Sequence, residues 1–201
     1  MNTKTLALPA AALLALAGCG TAAQPTPAAS GPHDGHAMPM ASAASTSGTA
    51  FNAQDVMFAQ MMIPHHEQAV EMSDIMLAKP GLDGRVSALA QKIKGAQAPE
   101  IATLKGWLGA WNQPGAMPGD AGHGMDGMLS GEDLGKLRAA DGRQASRLFL
   151  SQMIAHHEGA VAMAQTERAG GSHRDAVAMA SSIVDSQSAE IESMKSLLNT
   201  L

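Results

Sequence analysis

The sequence predicts an all-α fold, a four-helix bundle made of two repeated αα-hairpins, and three observations carry that prediction. Of the 201 residues, 45% are apolar but only 2% are aromatic, and Tyr is absent. The side chains that suit a pleated, half-buried sheet are therefore scarce. Apolar residues in the two segments able to fold recur every three to four positions, the period of one helix face. Finally, Gln60-Met61-Met62-Ile63-Pro64-His65-His66-Glu67-Gln68-Ala69-Val70-Glu71-Met72 recurs as Ser151-Gln152-Met153-Ile154-Ala155-His156-His157-Glu158-Gly159-Ala160-Val161-Ala162-Met163, an offset of 91 from His65 to His156. Gln97, Glu100, Ile101 and Lys105 likewise align with Gln187, Glu190, Ile191 and Lys195, so each unit is one supersecondary element, repeated.

The first helix is read through Phe58, Met62, Ala69, Met72 and Met76, with Glu67, Gln68 and Glu71 on the opposite side, and stops at Lys79-Pro80-Gly81. Residues 82–111 restart the pattern through Val86, Leu89, Ile93, Ile101, Leu104 and Leu108. Ser130-Gly131-Glu132-Asp133 opens a short extra helix. The second copy runs over 143–169, halts at Gly170-Gly171, and restarts at Ser172, with Asp175 as its capping partner, to reach Leu198. Pro64 and Pro99 fall inside helices, where they cost several kcal/mol or kink the axis. Ala155 and Ala189 hold those positions in the other copy, so the helices are expected to continue with kinks. Two amphipathic hairpins bury their faces best against each other. The folded part is thus 52–201, with repeat one at 52–112, a linker at 113–130 and repeat two at 131–201.

The rest of the chain reads differently. Lys4 and a short Ala/Leu run resemble a signal peptide over 1–18, too short to span a bilayer. The sole cysteine, Cys19, closes Leu16-Ala17-Gly18-Cys19, which resembles the bacterial lipobox and makes Cys19 the lipidation site. Residues 19–51 are an Ala/Pro/Ser/Gly mixture without apolar period, read as a flexible tether. It carries His33, His36, Met38 and Met40; a second flexible stretch in the linker carries His123, Met125 and Met128. Free of packing, these two clusters are candidate auxiliary sites for soft ions. A net charge of −5 and few aromatics disfavour nucleic-acid binding.

Fifteen Met and eight His need an explanation. On a helix advancing roughly 100° per residue, His65 and His66 flank the centre of the apolar face, and Met62 lies one turn away. The second copy repeats this with Met153, His156, His157 and Met163. A single inward His is commonly just hydrogen-bonded, but burying four imidazoles without a task is costly. Thioether with imidazole suits Cu(I), and Ag(I) by the same argument; imidazole alone suits Zn(II), Cu(II) or Ni(II). The Glu-x-x-His of di-iron bundles and the His-Glu-x-x-His of zinc proteases are both absent from the sequence. Copper leads by elimination and ligand type. Glu100, Glu190 and Asp55 are candidates to accept an imidazole N–H and set its tautomer. Neutral ligand imidazoles would also predict metal release below pH ~6.

The specific Met-Ile-x-His-His core, Met62-Ile63-Pro64-His65-His66 and Met153-Ile154-Ala155-His156-His157, resembles the bacterial family called domain of unknown function 305, a ferritin-like helical group. The resemblance covers residues 52–108 and 130–198. It implies a ferritin-like four-helix bundle that binds copper in Met/His-rich sites linked to metal resistance. Carried over by position, it implies Met62, His65, His66, Met72, Met153, His156, His157 and Met163 as the ligand set. Asp55 matches an Asp that precedes the motif in the family; Ser146 stands there in the second copy.

The expected protein is a lipid-anchored, extracytoplasmic copper-binding protein of a bacterial cell membrane, without enzymatic activity, that sequesters, buffers or transfers the ion. Another copper-handling protein is a candidate partner. A ferritin-like metallo-oxidase and a structural bundle without metal stay open as alternatives.

Overall fold

The computed structural model describes residues 50–115 and 125–201. Among the described residues there are five helices and no strand: α1 (Ala53–Leu77), α2 (Gly84–Ala110), α3 (Gly131–Ala139), α4 (Gly142–Gly170) and α5 (Arg174–Thr200). The signal peptide, Cys19, nearly all of the tether, and His33, His36, Met38, Met40 and His123 lie outside the described residues.

Local chemistry sets most of the helix ends. Asn52 caps α1 by accepting from the N–H groups of Gln54 and Asp55, while Asp55 accepts from the Asn52 N–H in return. Asp83 caps α2 by accepting from the Arg85 N–H, and Ser130 caps α3 by accepting from the Asp133 N–H. Helix α5 departs from expectation, because its cap is His173, whose Nδ1 accepts from the Ala176 N–H at 3.2 Å. Ser172 is engaged elsewhere: its hydroxyl receives the Asn52 Nδ2–H at 2.7 Å. Both α1 and α2 run unbroken through Pro64 and Pro99.

Short connections make α1–α2 and α4–α5 antiparallel hairpins, and the hairpins meet along α1 and α4. Helix α3 packs on both of those central helices. All four long helices contribute to two separate apolar clusters. One holds Phe58, Met62 and Ile63 of α1 with Leu104 and Leu108 of α2, Ala160 and Ala164 of α4, and Ala180 and Ile183 of α5. The other holds Met72 and Met76 with Val86 and Ile93, Phe149, Leu150 and Met153, Ile191 and Met194, sealed by Leu134 and Leu137 of α3. The start of α1 thus lies by the end of α4 and the reverse, so that α1 and α4 run antiparallel. With few aromatics available, Ala, Leu and Met fill the space.

Candidate metal centre

On α1 the stretch between the two clusters is His65 and His66; on α4 it is His156 and His157. All four imidazoles are fully buried. Antiparallel packing at this level brings His65 against His156, with ring centroids 3.7 Å apart and planes tilted by 37°. His157 follows at 6.4 Å from His156. The histidine pairs that the repeat placed 91 residues apart in sequence therefore form one layer.

The partners of these rings divide them into two kinds. His66 Nε2 lies 2.8 Å from Glu100 Oε2, and His157 Nε2 lies 2.8 Å from Glu190 Oε2. Each carboxylate accepts the Nε2–H, which leaves the lone pair on Nδ1, and neither Nδ1 has a hydrogen-bond partner. His65 and His156 have no partner in good geometry at either nitrogen. Six such buried ring nitrogens gather in this one layer, and a buried polar atom left unpaired costs on the order of 1–3 kcal/mol. Each neutral imidazole carries one free lone pair, in the ring plane, so the tilted contact of His65 with His156 leaves it at the ring edge, available to a ligand.

Electrostatics favour neutral rings. Burial first, then the neighbouring His66 and His157, push His65 down to about 3, against a small opposing effect of the Asp126 backbone. Burial and the other three histidines likewise hold His156 well below the ordinary imidazole value. The expectation of proton-driven release below pH ~6 took the ordinary value and needs correction: burial makes His65 a weaker base. Burial of Glu190 opposes its ionisation, but the His157 hydrogen bond and Lys92, 3.3 Å away, outweigh it and lower its pKa. The ionised carboxylate is the form that accepts from His157.

The family profile described as Domain of unknown function (DUF305) matches residues 55–198. The chain belongs to the DUF305 family. Its fold matches a DUF305 crystal structure from Streptomyces coelicolor, described as a candidate secreted protein, with a TM-score of 0.69 and 36% identity over 73% of this chain and 91% of that one. A DUF305 fragment from Deinococcus radiodurans matches with a TM-score of 0.68 and 34% identity over 75% and 98%. CopM in a Cu(II)-bound form matches with a TM-score of 0.63 and 32% identity over 73% and 96%. CopM is also known in Cu(I)-bound and Ag-bound forms. No curated protein matches the chain.

In this DUF305 chain the methionines divide around the layer. Met62 and Met153 stand three residues from His65 and His156, about 4.5 Å along the axis. Met72 and Met163 stand six residues from His66 and His157, about 9 Å along. Met62 and Met163 belong with one apolar cluster, Met72 and Met153 with the other. Of these four, Met62 and Met153 stand closer to the layer along their own helices. Among the described residues no three His, Cys, Asp or Glu side chains converge as a ready-made ion cage.

Asp55 requires a correction. It shares the face of Met62 but stands ten residues before His65, about 15 Å along the helix. There it binds the N–H groups of Asn52, Ser172 and His173, tying the start of α1 to the α4–α5 connection. It serves no imidazole of the layer. Met125 and Met128 are also placed differently from expectation. Rather than lying in a flexible stretch, they are half-buried at the two ends of a turn packed on α4, where the Met128 N–H donates to the Met125 carbonyl at 3.1 Å.

Sequence reasoning missed three buried polar residues. Gln68, assigned to the outer face, is buried and holds the linker backbone. Its aligned counterpart is Gly159, and that mismatch within the repeat was the available signal. Glu167 lies buried beside Asp55, and His173 caps α5 beneath Trp107 and Trp111.

Proposed function

We propose that this protein binds copper, with Cu(I) favoured, in the histidine layer, and sequesters, buffers or transfers it without catalysing a reaction. The observation that carries this reading is the layer itself: four buried imidazoles from two repeats, six of their nitrogens unpartnered, and two rings oriented by Glu100 and Glu190. Imidazole with the thioethers of Met62 and Met153 suits a soft monovalent ion, and Ag(I) would follow the same chemistry. The likeness to CopM in its Cu(I), Cu(II) and Ag forms supports the choice of ion.

The expected location is the extracytoplasmic face of a bacterial membrane, held by lipid on Cys19, with another copper-handling protein as the exchange partner. The support is the Leu16-Ala17-Gly18-Cys19 motif and the likeness to the protein from Streptomyces coelicolor. Among the described residues no helix is long and apolar enough to cross a membrane.

Titration of the protein with Cu(I) against a competing chelator tests the reading. Stoichiometric binding is expected, and His65→Ala with His156→Ala should weaken it by about two orders of magnitude or more, roughly 3 kcal/mol. Weak, non-stoichiometric binding that ignores the double substitution would defeat the copper site.

A further inference from the structure

We propose that residues 125–129 form a removable strap over the histidine layer, that the strap gates ion exchange at His65 and His156, and that Gln68 is its latch. The proposal rests on the copper reading above. The strap begins with the turn closed between Met125 and Met128, in which Gly127 has φ of 85°, a left-handed conformation that favours glycine. Two contacts with α4 leave no room for a side chain. A Cβ on Gly127 would fall 2.5 Å from the Ala155 carbonyl oxygen and 3.1 Å from the His156 Cα. A Cβ on Gly159 would fall 2.0 Å from the Asp126 carbonyl oxygen. On the α1 side, Gln68 Nε2 donates to the Leu129 carbonyl at 3.0 Å, and the Leu129 N–H donates to Gln68 Oε1 at 2.7 Å. The Asp126 backbone lies against His65 between these anchors.

Gln68 and Gly159 occupy one position of the repeat. On α1 the side chain grips the strap backbone; on α4 its absence lets that backbone approach. Two equivalent helices crossed by a single strand of chain require such a difference, and core packing does not. The strap also covers the layer in a different way from its other walls. Those are long helices with continuous internal hydrogen bonding, whereas the Leu129 end of the strap is held by two hydrogen bonds to one side chain. Segments of that kind open at far lower free energy than the fold as a whole. His65 and His156 are fully buried, so an ion from solvent must displace something, and the strap is the least costly piece to displace.

The test uses the full chain, with two readouts. Histidine-selective acylation of the metal-free protein, located by mass spectrometry, measures the cover. Stopped-flow Cu(I) exchange with a chelator measures the gate. Gln68→Ala and Gly159→Ala, on different helices, should each accelerate acylation of His65 and His156 by about tenfold or more. Both should raise the Cu(I) loading and release rates together, leaving the equilibrium affinity within about threefold. Alanine favours a helix over glycine, so added reactivity in Gly159→Ala cannot come from a frayed α4. Unchanged acylation in both variants overturns the strap as cover, and faster acylation with unchanged Cu(I) rates overturns it as gate. A wild-type chain that binds no Cu(I) instead sinks the copper reading, an outcome distinct from either.

Discussion

His66 and His157 show how one carboxylate prepares a ring for a ligand. By accepting at Nε2, Glu100 and Glu190 leave each Nδ1 with its lone pair and nothing to bind. The two copies differ in how firmly they do so. The Glu190 side chain is 7% exposed and also meets Lys92, whereas that of Glu100 is 23% exposed, so water can more readily replace it. Loss of such a partner generally costs 10–100-fold in metal affinity, about 1.4–2.7 kcal/mol. Glu190→Gln should therefore weaken Cu(I) binding within that range and Glu100→Gln by less, as read by chelator competition. An equal or larger effect of Glu100→Gln would contradict the ranking by burial. These two carboxylates were legible beforehand, because the repeat carries them at matching positions on helices that must face the histidines.

At the scale of elements, the start of α1 is joined to the α4–α5 connection by a carboxyl pair. Burial of Asp55 opposes its charge, but N–H groups of Asn52, His173 and Ser172 and the Glu167 carboxyl keep its pKa below the usual value. Burial first, then the hydrogen bond with Asp55 and the Asp55 charge, push Glu167 up to about 8. The pair therefore holds one proton at neutral pH, on Glu167. A carboxyl whose folded pKa is raised stabilises the fold fully below its unfolded pKa near 4.5, and that stabilisation is lost as pH rises through about 8. Chemical denaturation of the metal-free protein should accordingly show stability falling between pH 7 and 8 and levelling off above, with a slope of at most about 1.4 kcal/mol per pH unit. Glu167→Gln, which keeps a donor toward Asp55, should flatten that slope; an equally steep decline in the variant would assign the effect elsewhere. Nothing in the sequence linked the two residues, since 112 positions separate them and the aligned counterpart of Glu167 is Met76.

For the whole molecule, the duplicated hairpin places its polar layer between two apolar clusters, so the candidate site is enclosed rather than open to solvent. An ion could reach such a buried site only through local opening of its cover. Cys19→Ala should abolish partitioning into the membrane fraction, and unchanged partitioning would remove the lipid anchor from the proposal.

Helix count, repeat and candidate donors were legible because they depend on short-range periodicity and on residue type. The helix faces, the His-His pairs and Glu100 with Glu190 all follow from a period of 3.6 residues read twice along one chain. Contacts between elements distant in sequence were not legible, because their energy is assigned only when the hairpins dock. Antiparallel docking of α1 on α4 brought His65 against His156, carried Asp55 to the far end of the helix, and drew residues 125–129 across the layer between Gln68 and Gly159. Periodicity determined the apolar buried face of each helix, though not the burial of Gln68; the tertiary structure decided what each buried group meets there.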